Sequence, residues 1–289
     1  MSSRLDHFLE LYRLEAIEEN IFRGQSEDPG WGTLYGGHVL GQALAAAAET
    51  VPSDRLVHSL HGYFLRPGDV TRPIVYEVDR IRDGGSFTTR LVVAVQKGQA
   101  ILNLSASFQK SESGLEHQFP MPAAPEPGSL MNEQQRVATF ADRLPPALTK
   151  RLVEPFPVDL RPVDPVRDPF HPPPGPPRRM VWMRADGKLP DDEALHRYLL
   201  TYISDYGFLA TALLPHGITW LAQELQVVSL DHAVWFHQPL RVDEWLLHVM
   251  ESPKSHGSRG LVRGDFYTQD GRLVASTAQE GLIRKRVKK

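Results

Sequence analysis

Two stretches of the chain, Tyr63-Phe64-Leu65-Arg66-Pro67 followed by Gly85-Ser86 and Trp235-Phe236-His237-Gln238-Pro239 followed by Gly257-Ser258, carry the same landmarks in the same order, 172 positions apart. Each follows a helix-like segment and precedes residues that alternate apolar and polar, so one supersecondary unit is written twice. The copies differ where chemistry is to be sought. In the second, an Asp sits in an apolar helical run, a Ser opens the landmark strand and a Gln stands in the last strand: Asp205, Ser229 and Gln279.

Around the first landmark, a short strand is expected at Asn20–Gly24, then a Gly-rich turn from Gly30 to Gly37 and an Ala-rich helix over His38–Thr50, stopped by Pro52. Strand-type runs follow at Val57–Leu65, Ile74–Arg82, Ser86–Gln96 and Ala100–Gln109, separated by Pro-Gly, Asp-Gly-Gly and Lys-Gly signals. Around the second landmark the pattern restarts with a strand at Met180–Arg184. An acidic helix start at Pro190-Asp-Asp-Glu leads to a helix expected to run to about Leu214, closed by Pro215-His-Gly217. Strands follow at Gln226–Phe236, Glu244–Glu251, Ser258–Tyr267 and Leu273–Ile283.

Residues 119 to 177 hold 16 of the 24 prolines, which disfavours helix and central strand and marks a crossover. The expected division is residues 1–112, a Pro-rich crossover at 113–177 and residues 178–289. The fold class is α+β: two antiparallel sheets, each with a long helix over one face, joined side by side so that edges are covered.

Composition narrows the function. At 289 residues, 41% apolar and 23% charged, the chain is an ordinary globular protein. The absence of Cys excludes disulfides, thiolate metal sites and a Cys nucleophile, and suits a reducing compartment. A net charge of -3 gives no general attraction to nucleic acid. No apolar run reaches the roughly 18 to 20 residues of a membrane span, and residues 1 to 20 lack the features of a secretory signal, so a soluble protein is expected. The basic run Arg284–Lys289 reads as a solvated tail.

By three-and-four spacing Tyr198, Tyr202, Asp205, Leu209 and Ala212 share one helical stripe, which turns Asp205 toward apolar neighbours. A carboxylate there needs donors or a raised pKa; it is either a structural Asp bonded to backbone or a functional one. Strict alternation puts Ser229 on one face with Val227, Asp231, Ala233 and Trp235, and Gln279 on one face with Ala275, Thr277 and Gly281. Each alone is compatible with a structural role. Converging, an Asp, a hydroxyl and an amide can hold one water and take its proton. His38, at the helix start after Gly36-Gly37, marks a place where backbone N–H groups can polarise a carbonyl. His58 and His61 are spaced like a metal pair, but residues three apart on a strand face opposite ways. No nucleophile elbow, P-loop or dinucleotide fingerprint occurs.

Several separated motifs, Tyr35-Gly-Gly-His-Val-Leu-Gly-Gln42, Val57-His-Ser-Leu-His-Gly-Tyr-Phe-Leu-Arg-Pro-Gly68, Arg82-Asp-Gly-Gly-Ser-Phe87, Ser229-Leu-Asp-His232 and Ala275-Ser-Thr-Ala-Gln-Glu280, together resemble the type II acyl-CoA thioesterases, the TesB-like family. The resemblance implies a double hotdog, two units of a helix wrapped by an antiparallel sheet, that assembles into a homo-oligomer, a dimer or tetramer of double hotdogs. It implies cytoplasmic hydrolysis of fatty acyl-CoA to free acid and CoA without a cofactor or metal. The family's active-site Asp, Ser or Thr, and Gln match Asp205, Ser229 and Gln279. Substrate contacts are placed at Gly36, Gly37, His38, Arg82 and Ser86, with Arg90, Arg184 and Arg263 as further candidates for the CoA phosphates. The alternatives are a non-catalytic acyl-CoA-binding protein and a hotdog enoyl-CoA hydratase; the D-x-N-P-x-H segment of the latter is absent from the chain.

Overall fold

The computed structural model describes residues 3–286 apart from 155 and 223. The first half contains α1 (Ser3–Glu10), β1 (Glu15–Glu18), β2 (Ile21–Gly24), α2 (Gly36–Ala48), β3 (Arg55–Phe64), β4 (Ile74–Asp83), β5 (Phe87–Gln96) and β6 (Gln99–Lys110). The crossover holds α3 (Glu133–Ala138), α4 (Pro146–Val153) and β7 (Val158–Pro162). The second half contains β8 (Arg178–Ala185), α5 (Glu193–Ser204), β9 (Leu225–Ser229), β10 (Asp231–Phe236), β11 (Leu246–His256), β12 (Arg259–Thr268) and β13 (Leu273–Lys285).

All these strands belong to one antiparallel sheet, ordered β1-β2-β4-β5-β6-β3-β10-β13-β12-β11-β8-β7, with β9 also on β13. The seam between halves is the β3–β10 pair, where Leu60 stands opposite Val234. About it the order is the same read in either direction: the landmark strand innermost, then its three partners, then the strand that precedes the helix. The duplication in the sequence is therefore a pseudo-twofold in the sheet.

The helix α2 is buried from Gly37 to Ala47, as an Ala-rich helix without a polar face must be. It lies against β3, β4, β5 and β6 and, antiparallel, against α5. In the second half the expected single helix to Leu214 is two pieces. The helix α5 ends at Ser204, Gly207 adopts φ +64, and a 3-10 helix runs from Phe208 to His216 against β8, β11, β12 and β13. A left-handed glycine ends helices because no Cβ opposes that conformation. The apolar run beyond it keeps Leu209 and Ala212 buried, as the stripe required, but on a new axis.

The crossover is more than a connector. Short helices α3 and α4 form their own cluster around Val137, Phe140 and Leu144, and β7 extends the sheet past β8, from Val158 opposite Ala185 to Pro162 opposite Val181. Proline is tolerated there because β7 is an edge. Of the basic C-terminal run, Arg284 and Lys285 belong to β13, paired with Gln226 and Leu225, and are not a free tail; residues 287–289 lie outside the described residues.

Candidate active site

Asp205 caps the end of α5, with φ -81 and ψ -12, so it closes that helix and does not sit inside it. Its carboxylate bridges the two halves. The amide of Gly37, at the start of α2, donates to Oδ2 at 2.9 Å, and Gln279 Nε2 on β13 donates to Oδ1 at 2.7 Å. Burial raises the Asp205 pKa above the ordinary carboxylate value; the donors Gln279, the Gly37 amide and the Ser229 hydroxyl act the other way. The positive end of the α2 dipole also favours the anion. A buried carboxylate kept ionisable by three donors is a stronger proton acceptor than a solvated one.

The approach of α2 to this carboxylate depends on missing side chains. A Cβ at Gly36 would lie 2.7 Å from Asp205 Oδ2 and 2.8 Å from the Phe64 ring, and one at Gly37 would run into the carbonyl of Tyr202. Tyr35 locks the same crossing, its hydroxyl donating to the Tyr202 carbonyl at 2.8 Å. Tyr35 and Phe64 were not singled out from the sequence. Their position beside Gly36-Gly37 and within the landmark was the available signal.

Ser229 reaches the site by a device that strict alternation misses. The Gln226–Phe236 run is broken at Leu230: Ser229 pairs with Gly281, whereas Ala233 pairs with Ala278, so one extra residue lies on the β9–β10 side. The Leu230 amide donates to Glu280 and its carbonyl accepts from the Phe64 amide. Such a bulge reverses the alternation. Ser229 is thereby brought to the helix-facing side with His232 and Val234, not to the outer face with Ala233 and Trp235. The first half has the same bulge at His58, between Val57 opposite Phe108 and Ser59 opposite Ser107.

Gln279 lies where the alternation put it, buried, with Oε1 lacking a hydrogen-bond partner among the described residues. The structure thus brings together Asp205, Ser229, Gln279, Gly36 and Gly37. It does not bring in the others. The His38 ring is buried with Nε2 3.0 Å from the Gln25 carbonyl, and burial lowers its pKa to about 4, so it is a neutral brace between α2 and β2. Arg82 and Ser86 lie at the β4–β5 turn, where no hydrogen bond among the described residues joins them to the trio. Arg90 is buried and its guanidinium is taken by Thr50, Asp83 and the carbonyls of Arg82 and Thr89. Arg184 stacks on Trp245, and Arg263 is exposed on β12.

This geometry can hold a water between a carboxylate, an amide oxygen and a hydroxyl. The acyl-CoA thioesterase family model matches residues 161–282, and the model of the acyl-CoA thioesterase N-terminal domain matches residues 27–109. Acyl-CoA thioesterase 2 of Haemophilus influenzae is 39% identical over 284 residues, covering 98% of this chain and 99% of its own length. The chain belongs to the acyl-CoA thioesterase family. Among solved structures, the acyl-CoA thioesterase II TesB2 of Mycobacterium marinum is 44% identical and superposes with a TM-score of 0.78, over 96% of this chain and 98% of its own. A protein of unknown function with a hot dog fold from Alicyclobacillus acidocaldarius, only 20% identical, matches with a TM-score of 0.76 over 99% of this chain and all of its own. The α+β architecture is accordingly the double hotdog of this thioesterase family.

Proposed function

We propose that Asp205, Ser229 and Gln279 place and deprotonate a single water that attacks the thioester carbonyl of a fatty acyl-CoA. The reaction class comes with the family: acyl-CoA is hydrolysed to a carboxylic acid and CoA. The observation that carries the mechanism is the Asp205 carboxylate held between the Gly37 amide and Gln279, with Gln279 Oε1 beside it and without a partner among the described residues. A water lying there donates one hydrogen to Asp205 and the other to Gln279 Oε1, while the Ser229 hydroxyl rotates from Asp205 to donate to the water oxygen. Its lone pair then faces the carbonyl carbon.

As the C–O bond forms, Asp205 accepts the water proton and negative charge collects on the former carbonyl oxygen. The Gly37 amide is engaged by Asp205. The Gly36 amide begins α2 and has no acceptor within that helix, so it is the donor assigned to this oxyanion. Collapse breaks the C–S bond. The leaving thiolate belongs to a thiol with a pKa of about 8.5, taking Cys as the guide, so it departs with little acid assistance and the proton on Asp205 returns to solvent or to the thiolate. The same proposal makes the protein a cytoplasmic homo-oligomer, supported by its Cys-free composition and by resemblance.

Hydrolysis in heavy-oxygen water tests the chemistry. Direct attack puts one solvent oxygen into the free acid in a single turnover, with no acyl-enzyme trapped by quenching. A covalently acylated Ser229 would overturn the mechanism.

A further inference from the structure

A second cluster stands on the loop that leads into α2, and the chemistry makes no use of it. Trp31 and Trp220 are 56% and 45% exposed, large for indoles, and their rings meet edge to face at 6.4 Å. The Arg151 guanidinium, brought by α4 of the crossover, lies over the Trp31 ring with its carbon 3.2 Å from the centroid, and Nη1 donates to the Gly30 carbonyl at 2.8 Å. Asp28 stiffens the loop, its Oδ1 accepting from the amides of Gly30 at 2.7 Å and Gly32 at 3.2 Å. Asp28 and Glu154 are the carboxylates near enough to act on Arg151. Neither forms an ion pair with it among the described residues. Exposed, adjoining apolar rings held rigid under a cation mark a binding surface.

Its location fits the substrate. Trp31 is five residues before Gly36, hence within about 18 Å of the start of α2 even if the chain were fully extended. Arg151 also acts electrostatically on Tyr206, the neighbour of Asp205. The same rim receives the end of β13: the Arg286 amide donates to the Glu224 carbonyl, four residues beyond Trp220, just after the exposed Arg284 and Lys285. Indole faces and guanidinium planes stack on nucleobases, and cationic side chains take phosphate oxygens. Acyl-CoA brings both groups on its nucleotide end, a pantetheine arm away from the thioester.

We infer that Trp31, Trp220 and Arg151 form the docking site for the adenine and phosphates of CoA, with the crossover helix α4 acting as part of the substrate site. The inference rests on the hydrolase reading above and adds to it the place of the nucleotide. It also explains why a Pro-rich connector is folded against the catalytic half.

The test compares two thioesters of the same acyl chain, one on CoA and one on N-acetylcysteamine, which lacks the nucleotide. Trp31→Ala and Arg151→Gln each raise KM for acyl-CoA about tenfold or more, leave its kcat within about twofold, and leave kcat/KM for the short thioester unchanged. Trp31→Phe, which keeps an aromatic face, restores most of the loss. Equal effects on both thioesters, or none on acyl-CoA, overturn the site. Separately, adenosine 3′,5′-bisphosphate quenches indole fluorescence of the wild type and not of the Trp31→Ala variant. Absence of that quenching also overturns the site. A wild type inactive on both thioesters would contradict the hydrolase reading, and the nucleotide titration would still decide this site.

Discussion

At equivalent rungs of the two half-sheets stand different pairs: Val262 opposite Gln279 in the second half, Arg90 opposite Ala106 in the first. Likewise Ser229 faces Gly281 where Val57 faces Phe108. The helix ends differ in the same sense. In the first half the buried Arg90 guanidinium reaches past the end of α2 to Thr50, donating to its hydroxyl at 2.8 Å and its carbonyl at 2.9 Å, and pairs with Asp83 at 2.6 Å. A cation at a helix C-terminus is stabilising. In the second half the end of α5 is Asp205, held by the Gly37 amide of the opposite half and by Gln279 of its own. A cleft of about 390 Å³ remains at the first half's counterpart of the site, lined by Val57, Phe108, Asp192 and Glu193. There Asp192 accepts from the amides of Ala194 and Leu195, so these amides are already engaged, unlike the Gly36 amide assigned to the oxyanion. On the proposed mechanism, one scaffold thus serves stability in one copy and chemistry in the other.

The largest effect belongs to Asp205→Asn, which should lower kcat by about 10² to 10⁴, the usual contribution of a placed general base, measured by thiol release. The sign on stability is opposite. Because burial raises the folded pKa above the unfolded value, ionised Asp205 destabilises the native state once pH exceeds the unfolded pKa. The neutral Asn should therefore equal or exceed the wild-type Tm at neutral pH. The acid limb of kcat/KM should lie above the ordinary Asp value of about 3.9 and vanish in this variant.

Next comes Arg90→Leu, which should lower the midpoint of denaturant unfolding by leaving the Thr50 hydroxyl and carbonyl at the α2 end without their donor, with activity per folded molecule unchanged. A loss of kcat without a loss of stability would blur the contrast between halves. Gln279→Ala should reduce kcat by about a hundredfold through a misplaced water, and Ser229→Ala by about tenfold, while Ser229→Thr retains activity. Smallest of all is the paired change Val57→Ser with Ala106→Gln. Without an Asp at the end of α2, it should leave kcat within about twofold, and a gain would show that the silent half lacks less than proposed.

The duplication marked out the proposed trio. Each of Asp205, Ser229 and Gln279 breaks a pattern for which the other copy provides the control, and element positions followed from turn residues such as Lys97-Gly98, which does adopt positive φ. Other features had no local mark. Gly207 was visible, but the apolar run to Leu214 outweighed one glycine in the periodicity. The bulge at Leu230 adds a residue without changing composition, so the face of Ser229 was read backwards. Arg90 looked like a surface ligand because burial of a charge depends on partners, Thr50 and Asp83, that only the fold assembles. His38 was misjudged for the same reason, its carbonyl partner lying on the loop after β2.

The asymmetry itself is tested most directly by calorimetric titration with a non-hydrolysable thioether analogue of acyl-CoA. One molecule bound per chain, with the enthalpy altered by Asp205→Asn and untouched by the Val57→Ser and Ala106→Gln pair, is the result predicted. Two equivalent sites per chain would contradict the account.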